Sequence, residues 1–531
     1  MNRGVLTPSG RIKLLSLVCG ALAAHASNGP GAEPLTLHTR SQSETAKGSG
    51  QWQTTDATVQ WDPQKTAIVV CDMWNQHWCQ GATRRVAEMA PRMNEVLQAA
   101  RRRGVFIIHC PSGTLKYYEG TPQRRLAQAA PKVTPRVPIQ GWCALDRARE
   151  APLPIDDSDG GCDDFPQCKQ GAPWTRQIDT LQIQEGDAVT DSAEAYYLMQ
   201  QRGIENVIVM GVHANMCVLG RPFSIRQMVR QGKHVLLVRD LTDTMYNSRQ
   251  APFVRHFAGT DLVVEHIERY WCPSITSADF LGGEAFRFRA DHRPQVVFII
   301  GENEYQTWET LPEFARKELE WRGVHCSFVM AGTKVGDNDF ANYDRIKQAD
   351  LVFLSVRRRT PQKEMLDLLR AHLSAGKPLV AIRTASHGFD AKPPDSAHEN
   401  WPAFDREILG AHYENHYSNG GANGARTVVR PVAGAHAILT GIATNDLVVT
   451  SSLYKSRDLV SAATVLMWGS VENTSDREPV AWVNTAEQRR VFYTSLGAPD
   501  DFKQAPFRQL LVNGIYWALD QPVPPRWVTR D

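Results

Sequence analysis

Residues 207–218 read Val-Ile-Val-Met-Gly-Val-His-Ala-Asn-Met-Cys-Val, an apolar run that passes into a turn and ends at a cysteine. A similar run, Thr-Ala-Ile-Val-Val-Cys at residues 66–71, is followed by Asp72. Unbroken apolar runs of this length are typical of strands that are covered on both faces. Helical spacing over residues 90–103, ended by Gly104, separates the second run from the next strand at 105–108. This alternation predicts a doubly wound, mainly parallel sheet.

The second half of the chain repeats the same pattern. Predicted strands at 296–301, 350–354 and 379–382 alternate with predicted helices at 311–321 and 361–374. The fold class is therefore α/β, with two doubly wound three-layer α/β/α domains in tandem. The predicted segments are a signal peptide (1–26), a flexible lead-in (27–50), a first domain (51–275), a linker (276–293) and a second domain (294–531).

Length and charge limit the class of protein. A chain of 531 residues is too long for one hydrophobic core, so two domains of roughly 200–250 residues are expected. The net charge is +2, and Arg3, Arg11 and Lys13 lie before any acidic residue. Beyond residue 26 the chain is close to neutral, which argues against nucleic acid or an anionic membrane as a partner.

The N-terminus has the pattern of a secretory signal. Three basic residues precede an apolar run at 14–24. Ala24-His25-Ala26, at the end of this run, is a small-x-small cleavage site. The prediction is a secreted or periplasmic protein with no membrane contact after signal removal. A retained membrane anchor is the alternative.

Nine of the ten cysteines would remain after processing, because Cys19 lies in the signal. Export permits disulfides. Cys143, Cys162 and Cys168 share one Gly/Pro/Asp-rich segment and are the cysteines most expected to pair. Those in or beside apolar runs, Cys71, Cys110 and Cys326, are expected to be buried free thiols.

Three residues are expected at the carboxyl edge of the first sheet, where α/β proteins bind ligands. Asp72, His109 and Cys217 each end or follow a predicted strand. A cysteine at a helix N-terminus favours the thiolate, and the free N–H groups there could hold an oxyanion. Asn215 is expected to cap this helix. The alternative is that Cys217 is a small buried thiol without a catalytic role.

Residues 207–218 resemble the Gly-Val-x-Thr-Asn-x-Cys-Val signature of the isochorismatase-like cysteine hydrolases. Residues 68–73 and 191–193 resemble other segments of that family, and the match covers about residues 60–270. The resemblance implies Cys217 as nucleophile, Asp72 as general base and an amide or related C–N or carbonyl substrate. It also implies a cis peptide after Val212, in an oxyanion and binding region formed by Val212, His213 and Met216.

The family's third catalytic residue is a lysine, and Glu185 aligns with it here. A carboxylate beside Asp72 would raise pKa values, which is the opposite of what a lysine does. Three alternatives stay open. Lys116 or Lys169 could supply the charge, the chemistry could be altered, or the domain could be inactive.

An acidic insert at 155–164 holds five carboxylates among glycines. Asp156, Asp157 and Asp159 are its candidate ligands for a divalent metal, Ca²⁺ or Zn²⁺, although no cofactor is required. A solvated polar loop is the alternative. Nicotinamidase-like members bind a metal through one Asp and two His, for which only His77 and His109 are loose candidates.

Residues 478–482, 490–497 and 507–519 resemble the ThuA-like (trehalose-utilisation) family, which implies a class I glutamine-amidotransferase-like fold and a carbohydrate-type ligand. The residues that would line its cleft are Arg383, His387, His412 and His416. Residues 383–386 carry no cysteine at the position of the amidotransferase nucleophile, which argues against glutaminase chemistry.

Two functions follow as hypotheses. The first is an exported cysteine hydrolase with a small-molecule substrate. The second is a non-catalytic sugar-binding or scaffolding protein whose hydrolase site is degenerate. The family resemblance also allows a homo-oligomer.

Overall fold

The computed structural model describes residues 33–44, 48, 52–417, 427–432, 436–442, 447–449, 451–471, 475 and 477–523. The predicted signal peptide lies outside these residues. Within them, no helix combines the length and the apolar character needed to cross a bilayer.

The first sheet has eight strands in the order β2-β1-β8-β7-β6-β3-β4-β5. They are β1 (Leu35–Glu44), β2 (Trp52–Trp61), β3 (Thr66–Cys71), β4 (Phe106–Cys110), β5 (Ala188–Val189), β6 (Asn206–Val212), β7 (His234–Asp243) and β8 (Ser274–Ile275). The strands from β8 to β5 pair in parallel, and β1 pairs antiparallel with both β2 and β8.

Helices cover both faces of this sheet. They are α1 (Gln80–Arg102), α2 (Pro122–Gln128), α3 (Glu194–Gln201), α4 (Cys217–Gly220), α5 (Ile225–Arg230), α6 (His256–Tyr270) and α7 (Ala278–Leu281). Alternate residues of β3 pack into two different cores, Ile68 with α1 on one face and Val69 with α3, α5 and α6 on the other. Every residue of β3 and β6 is buried, which explains their unbroken apolar runs.

The expectation of a flexible lead-in is wrong for residues 35–44, which form β1. This strand pairs with β2 over ten residue pairs, from Leu35–Trp61 to Glu44–Trp52. Leu35 and Leu37 are fully buried in the core under α1. Polar residues alternate with these leucines, as expected for a strand with one solvated face, and this alternation outweighs the polar composition of the segment.

The second sheet has ten strands in the order β11-β10-β9-β12-β13-β20-β19-β18-β15-β16, and β14 pairs with β17 outside it. The strands are β9 (Gln295–Gly301), β10 (His325–Ala331), β11 (Phe340–Ala341), β12 (Leu351–Val356), β13 (Leu379–Ile382), β14 (His412–His416), β15 (Thr427–Pro431), β16 (Leu447–Val449), β17 (Tyr454–Arg457), β18 (Ala463–Val471), β19 (Glu478–Asn484) and β20 (Val491–Thr494). The helices are α8 (Thr307–Phe314), α9 (Lys363–Ser374), α10 (Pro499–Phe502) and α11 (Ala505–Ala518).

Five neighbouring strands of this sheet, from β10 to β20, are parallel, and the remaining strands join antiparallel. The predicted α/β class is confirmed. The two sheets are built from separate stretches of the chain, residues 35–275 and 295–494. The exact domain and linker boundaries stay a prediction.

Candidate active site

Asp72 and Cys217 are brought together by the pairing of β3 with β6. The two strands are parallel neighbours, with Cys71 opposite Gly211, so the residues that follow them lie at the same edge of the sheet. Gly211 is required here, because its φ is +115° and a Cβ would lie 2.1 Å from the carbonyl oxygen of Cys71.

The Asp72 carboxylate is fully buried and is held by two donors. Its Oδ1 accepts a hydrogen bond of 2.8 Å from the Ser112 N–H, and its Oδ2 accepts one of 3.1 Å from Nε of Arg221. Burial raises the pKa of Asp72, and the charge of Arg221 together with hydrogen bonds from Cys217 and Ser112 opposes that rise. The Asp72 backbone has a φ of 49°, in the left-handed region that clusters at functional sites.

Arg221 supplies the cation that the sequence comparison lacked. It forms an ion pair with Asp72 and lies beside the Cys217 thiol. The extended backbone of Arg221, with φ −68° and ψ 156°, explains this position. Pro222 follows it, and a residue before proline is disfavoured in the α region, so the chain leaves the helix and the side chain returns to Asp72.

The residues predicted for this role lie elsewhere. Lys116 and Lys169 are exposed, and Lys169 lines a cleft of about 790 Å³ together with His77 and Arg84. Glu185 is exposed in a turn, so its predicted catalytic place beside the fully buried Asp72 is wrong. Sequence reasoning missed Arg221, although its place four residues after Cys217 and before a proline was a usable signal.

Cys217 is 8 % exposed and lies beside Asp72. Burial and the charge of Asp72 raise the pKa of the thiol, and Arg221 opposes them. The helix that Cys217 opens is a single turn, because Pro222 ends α4 after four residues and α5 begins only at Ile225. A single turn has little dipole, so the thiol is protonated at rest and needs a base.

The predicted cis peptide between Val212 and His213 is present. The His213 carbonyl accepts hydrogen bonds from the N–H groups of Met216 and Val218, at 2.9 and 3.2 Å. The N–H of Cys217 lies between them and has no acceptor within the described part of the chain. It is therefore the donor best placed to bind an oxyanion, whereas that of Met216 is already occupied.

His213 itself is buried, and its Nε2 atom has no hydrogen-bond partner among the described residues. Burial lowers its pKa, and the neighbouring His77 lowers it further. Aromatic rings surround this histidine pair, which sequence reasoning did not foresee. Trp174 stacks on Trp74 at 4.4 Å between ring centroids and on His77 at 5.6 Å.

Asn215 does not cap α4 as expected. Its amide exchanges two hydrogen bonds with the backbone of Met245, at 3.0 and 3.1 Å, and donates another of 2.7 Å to Asp157. Gly161 contacts the same Met245 backbone, where a Cβ would lie 2.2 Å from the carbonyl oxygen. The acidic insert therefore packs against the loop that leads to Cys217.

The predicted metal ligands of the insert do not converge. Asp156 accepts the Ser158 N–H, and Asp159 accepts N–H groups of Gly161, Gln167 and Asn247. Asp157 is occupied by Asn215, as described above. These three carboxylates hold the loop together and do not form the expected metal site, because each faces its own amide donors.

His109 is no metal ligand either. Its ring nitrogens contact Gln177 at 3.0 Å and Asp187 at 3.2 Å, and both side chains are buried beside it. A different set of side chains in the described residues could hold a metal ion, namely Cys79, Cys162 and Asp164.

The cysteines of the described residues are all free thiols, so the expected pairing within residues 143–168 is not observed. Cys143 lies apart and contacts Gln227, with its Sγ 3.3 Å from Oε1. Cys162 and Cys168 instead approach Cys79 and Asp164. Of the predicted buried thiols, Cys71 and Cys110 are confirmed, whereas Cys326 is free but only half-buried.

In the second half, Arg383 follows β13 with a φ of 44° and is buried. Its guanidinium bonds to the Ser495 carbonyl at 2.8 Å and the Ser452 hydroxyl at 3.3 Å rather than to a carboxylate. The rings of Tyr305 and Tyr454 lie 4.1 and 4.8 Å from its carbon Cζ. The structure thus places a buried cation between two aromatic faces.

The predicted histidines of this cleft divide into two groups. His387 stacks on Tyr413 at 4.3 Å, and both His387 and His416 lie near Tyr454. Burial, aided by nearby arginines, lowers the pKa of His387 to about 3. Nδ1 of His412 forms a hydrogen bond of 2.9 Å with Oδ2 of Asp405. Sequence reasoning missed the tyrosines, which have no motif of their own.

Several solved structures are similar to part of this chain. A putative ThuA-like protein from Bacteroides uniformis is 16% identical with a TM-score of 0.33, covering 45% of this chain and 95% of its own. A cysteine hydrolase from Pseudomonas syringae pv. phaseolicola is 19% identical with a TM-score of 0.26, covering 41% and 91%. An isochorismatase family protein from Burkholderia thailandensis is 16% identical with a TM-score of 0.23, covering 41% and 93%.

No curated protein matches the chain. A family model described as "Trehalose utilisation" matches residues 297–518. This stretch contains Arg383, its tyrosine neighbours and the described parallel strands of the second sheet. The second half of the chain therefore carries a ThuA (trehalose utilisation) domain.

Proposed function

We propose that the first half of this chain is a cysteine hydrolase that cleaves an amide or a related C–N or carbonyl bond in a small molecule. The observation that carries the proposal is the ion pair between the buried Asp72 and the half-buried Arg221 beside the Cys217 thiol. A carboxylate, a cation and a thiol at the carboxyl edge of a parallel sheet are suited to acyl transfer.

Cys217 attacks the carbonyl carbon, and its thiol proton passes to Asp72 as the S–C bond forms. The oxyanion lies toward the free N–H of Cys217. Collapse of this intermediate breaks the C–N bond, and Asp72 returns the proton to the leaving amine. A water molecule then attacks the thioester carbon and gives a proton to Asp72, after which the C–S bond breaks, the acid leaves and Asp72 returns the proton to the Cys217 sulfur.

Arg221 supports this cycle electrostatically. The resting thiol and Asp72 share one proton, and a nearby cation lowers the cost of the charge that appears on sulfur during attack. The exposure of Glu185 removes the main argument for a degenerate site, namely a second carboxylate beside Asp72.

The ThuA domain is proposed to bind a carbohydrate-type ligand. Tyr305 and Tyr454 flank Arg383, which combines aromatic faces with a fixed guanidinium. Sugars bind through such faces and through fixed hydrogen-bond donors. A non-catalytic sugar-binding protein remains the second candidate, favoured if only this half has a ligand. We also propose export through residues 1–26, which N-terminal sequencing tests by a mature start at Ser27.

The deciding experiment measures ammonia release by the full-length chain from a panel of primary amides and ureido compounds. Cys217→Ser and Asp72→Asn are each expected to lower the rate by about 10³-fold or more. Cys143→Ser, a buried thiol elsewhere in the same half, is the matched control and should retain the rate. An acyl adduct on the Cys217 peptide, seen by mass spectrometry, would support the covalent route.

If the wild type and Cys217→Ser release ammonia equally from every compound, the hydrolase proposal fails. Titration with mono- and disaccharides, comparing the wild type with Arg383→Gln, then tests the second candidate. Binding that is lost in this variant supports a sugar site, and unchanged binding places the ligand elsewhere.

A further inference from the structure

Three cysteines and one carboxylate meet where the acidic insert contacts the start of α1. Cys79 is the residue before α1, the insert contributes Cys162 and Asp164, and Cys168 follows the insert. The ligand atoms of Cys79, Cys162 and Asp164 all lie within 4.8 Å of one another. Cys168 approaches the same carboxylate and interacts with Cys162. The proposed hydrolase chemistry uses none of these side chains.

The sulfur–oxygen distances in this cluster match those around a tetrahedral zinc ion. The sulfur atoms of Cys79, Cys162 and Cys168 lie 3.5, 3.8 and 3.4 Å from Oδ2 of Asp164. With bonds of about 2.3 Å to sulfur and about 2.0 Å to oxygen, tetrahedral zinc separates a sulfur from an oxygen ligand by about 3.5 Å. The sulfurs therefore surround the carboxylate oxygen as zinc ligands would.

More hydrogen-bond donors approach Oδ2 of Asp164 than its lone pairs can accept. Oδ2 of Asp164 also accepts a 2.7 Å hydrogen bond from the Gly81 N–H, so four groups approach one atom. A carboxylate oxygen has two lone-pair positions, and thiols are weak donors. If a cation were bound, the three cysteines would be thiolate ligands of that cation and would no longer compete as donors to this oxygen.

The surrounding charges suit an anionic metal site. Arg84 contacts the other oxygen of Asp164 at 2.7 Å, and Arg85 contacts Asp163 at 2.7 Å. Zinc with three thiolates and a carboxylate carries a net charge of about −2, of which Arg84 offsets one unit, whereas Arg85 is shared between Asp163 and Asp243. Thiolate ligands select Zn²⁺ over Ca²⁺ or Mg²⁺, which prefer oxygen.

We propose that Cys79, Cys162, Cys168 and Asp164 form a structural zinc site that fastens the acidic insert to the start of α1. Cys79 and Cys162 share a small core with Met245 and Met216, the residue before Cys217. The ion therefore holds the insert against the loop that carries the nucleophile. It acts on folding and position, and the hydrolytic steps do not pass through it.

The test measures the metal content of the full-length chain by inductively coupled plasma mass spectrometry, after purification without chelators. About one zinc per chain is expected in the wild type. Cys79→Ser and Asp164→Asn should each lower it at least tenfold, whereas Cys143→Ser, the matched control, should retain it. Replacement by Co²⁺ should give the intense absorption of a thiolate-bound tetrahedral ion, which tests the wild type even if a variant does not fold.

Two results would overturn the proposal. One is a wild type without zinc that also takes up no Co²⁺ after reduction. The other is a disulfide joining any two of the three cysteines, found by peptide mapping of the unreduced protein.

Discussion

Arg221 and Asp72, which are 149 positions apart in the sequence, form an ion pair of 3.1 Å next to the Cys217 thiol. Asp72 is fully buried, whereas the Arg221 side chain keeps 28% of its surface exposed. The pair therefore joins the end of β3 to the turn after α4 and leaves the cation accessible to a substrate. Arg221 thus places beside Asp72 a positive charge that Glu185 cannot provide and for which Lys116 and Lys169 were the predicted sources.

Replacing Arg221 should impair both reactivity and folding. Arg221 lowers the pKa of Cys217, so Arg221→Gln should slow alkylation of Cys217 by iodoacetamide at least tenfold at neutral pH. The same substitution leaves Asp72 buried without its cation, which should lower the free energy of unfolding, measured in urea, by about 3 kcal/mol. Arg221→Lys keeps the charge and should lose less of both the alkylation rate and the stability. The exposed Arg102→Gln is the control, and an equal loss there would contradict the prediction.

Asp72→Asn should separate thiol reactivity from catalysis. The charge of Asp72 raises the pKa of Cys217, so its removal should lower that pKa and speed alkylation at neutral pH. Hydrolysis should nevertheless be lost, since asparagine cannot accept the thiol proton. Peptide mass spectrometry over a range of pH measures the first effect and ammonia release the second. Slower alkylation in this variant would contradict the resting state inferred for the thiol.

Two adjacent glycines provide a matched test of the insert. Gly160 and Gly161 both have positive φ, but a Cβ at Gly160 would meet the flexible end of Gln170, whereas one at Gly161 would meet the Met245 backbone. Gly160→Ala should lower the free energy of unfolding by about 1 kcal/mol. Gly161→Ala should cost clearly more and should also change the alkylation rate of Cys217. Equal effects in thermal unfolding would mean that the insert does not control this loop.

Glu150 is expected to make stability depend on pH. Burial raises its pKa, but hydrogen bonds from His266, Arg226 and Trp271 outweigh it and hold the pKa at about 2, against an ordinary value of 4.5. The contribution is thus present above pH 4.5 and lost as the pH falls toward 2. Glu150→Gln should lower the free energy of unfolding by about 3 kcal/mol at neutral pH. That difference should shrink in acid, and a constant difference would count against this assignment.

The strands that position the site were predictable, because their signal is local. The runs at 66–71 and 206–212 are buried at every position and are apolar after their first residue, and burial on both faces requires this whatever the rest of the chain does. The cis peptide after Val212 followed from a local motif as well. The polar strand β1 was missed, because only its pairing with β2 gives its two buried leucines a place in the core.

The sequence alone determined the α/β class and the position of Asp72 and Cys217 at the carboxyl edge of the first sheet, since apolar periodicity and strand ends are properties of short segments. Only the tertiary structure decided which cation joins them and which thiols meet. Arg221 reaches Asp72 because Pro222 breaks the helix and the sheet brings together residues far apart in the chain. Cys79 meets Cys162 because the insert folds back onto α1. Such contacts depend on side-chain direction across the whole fold, and no local pattern encodes them.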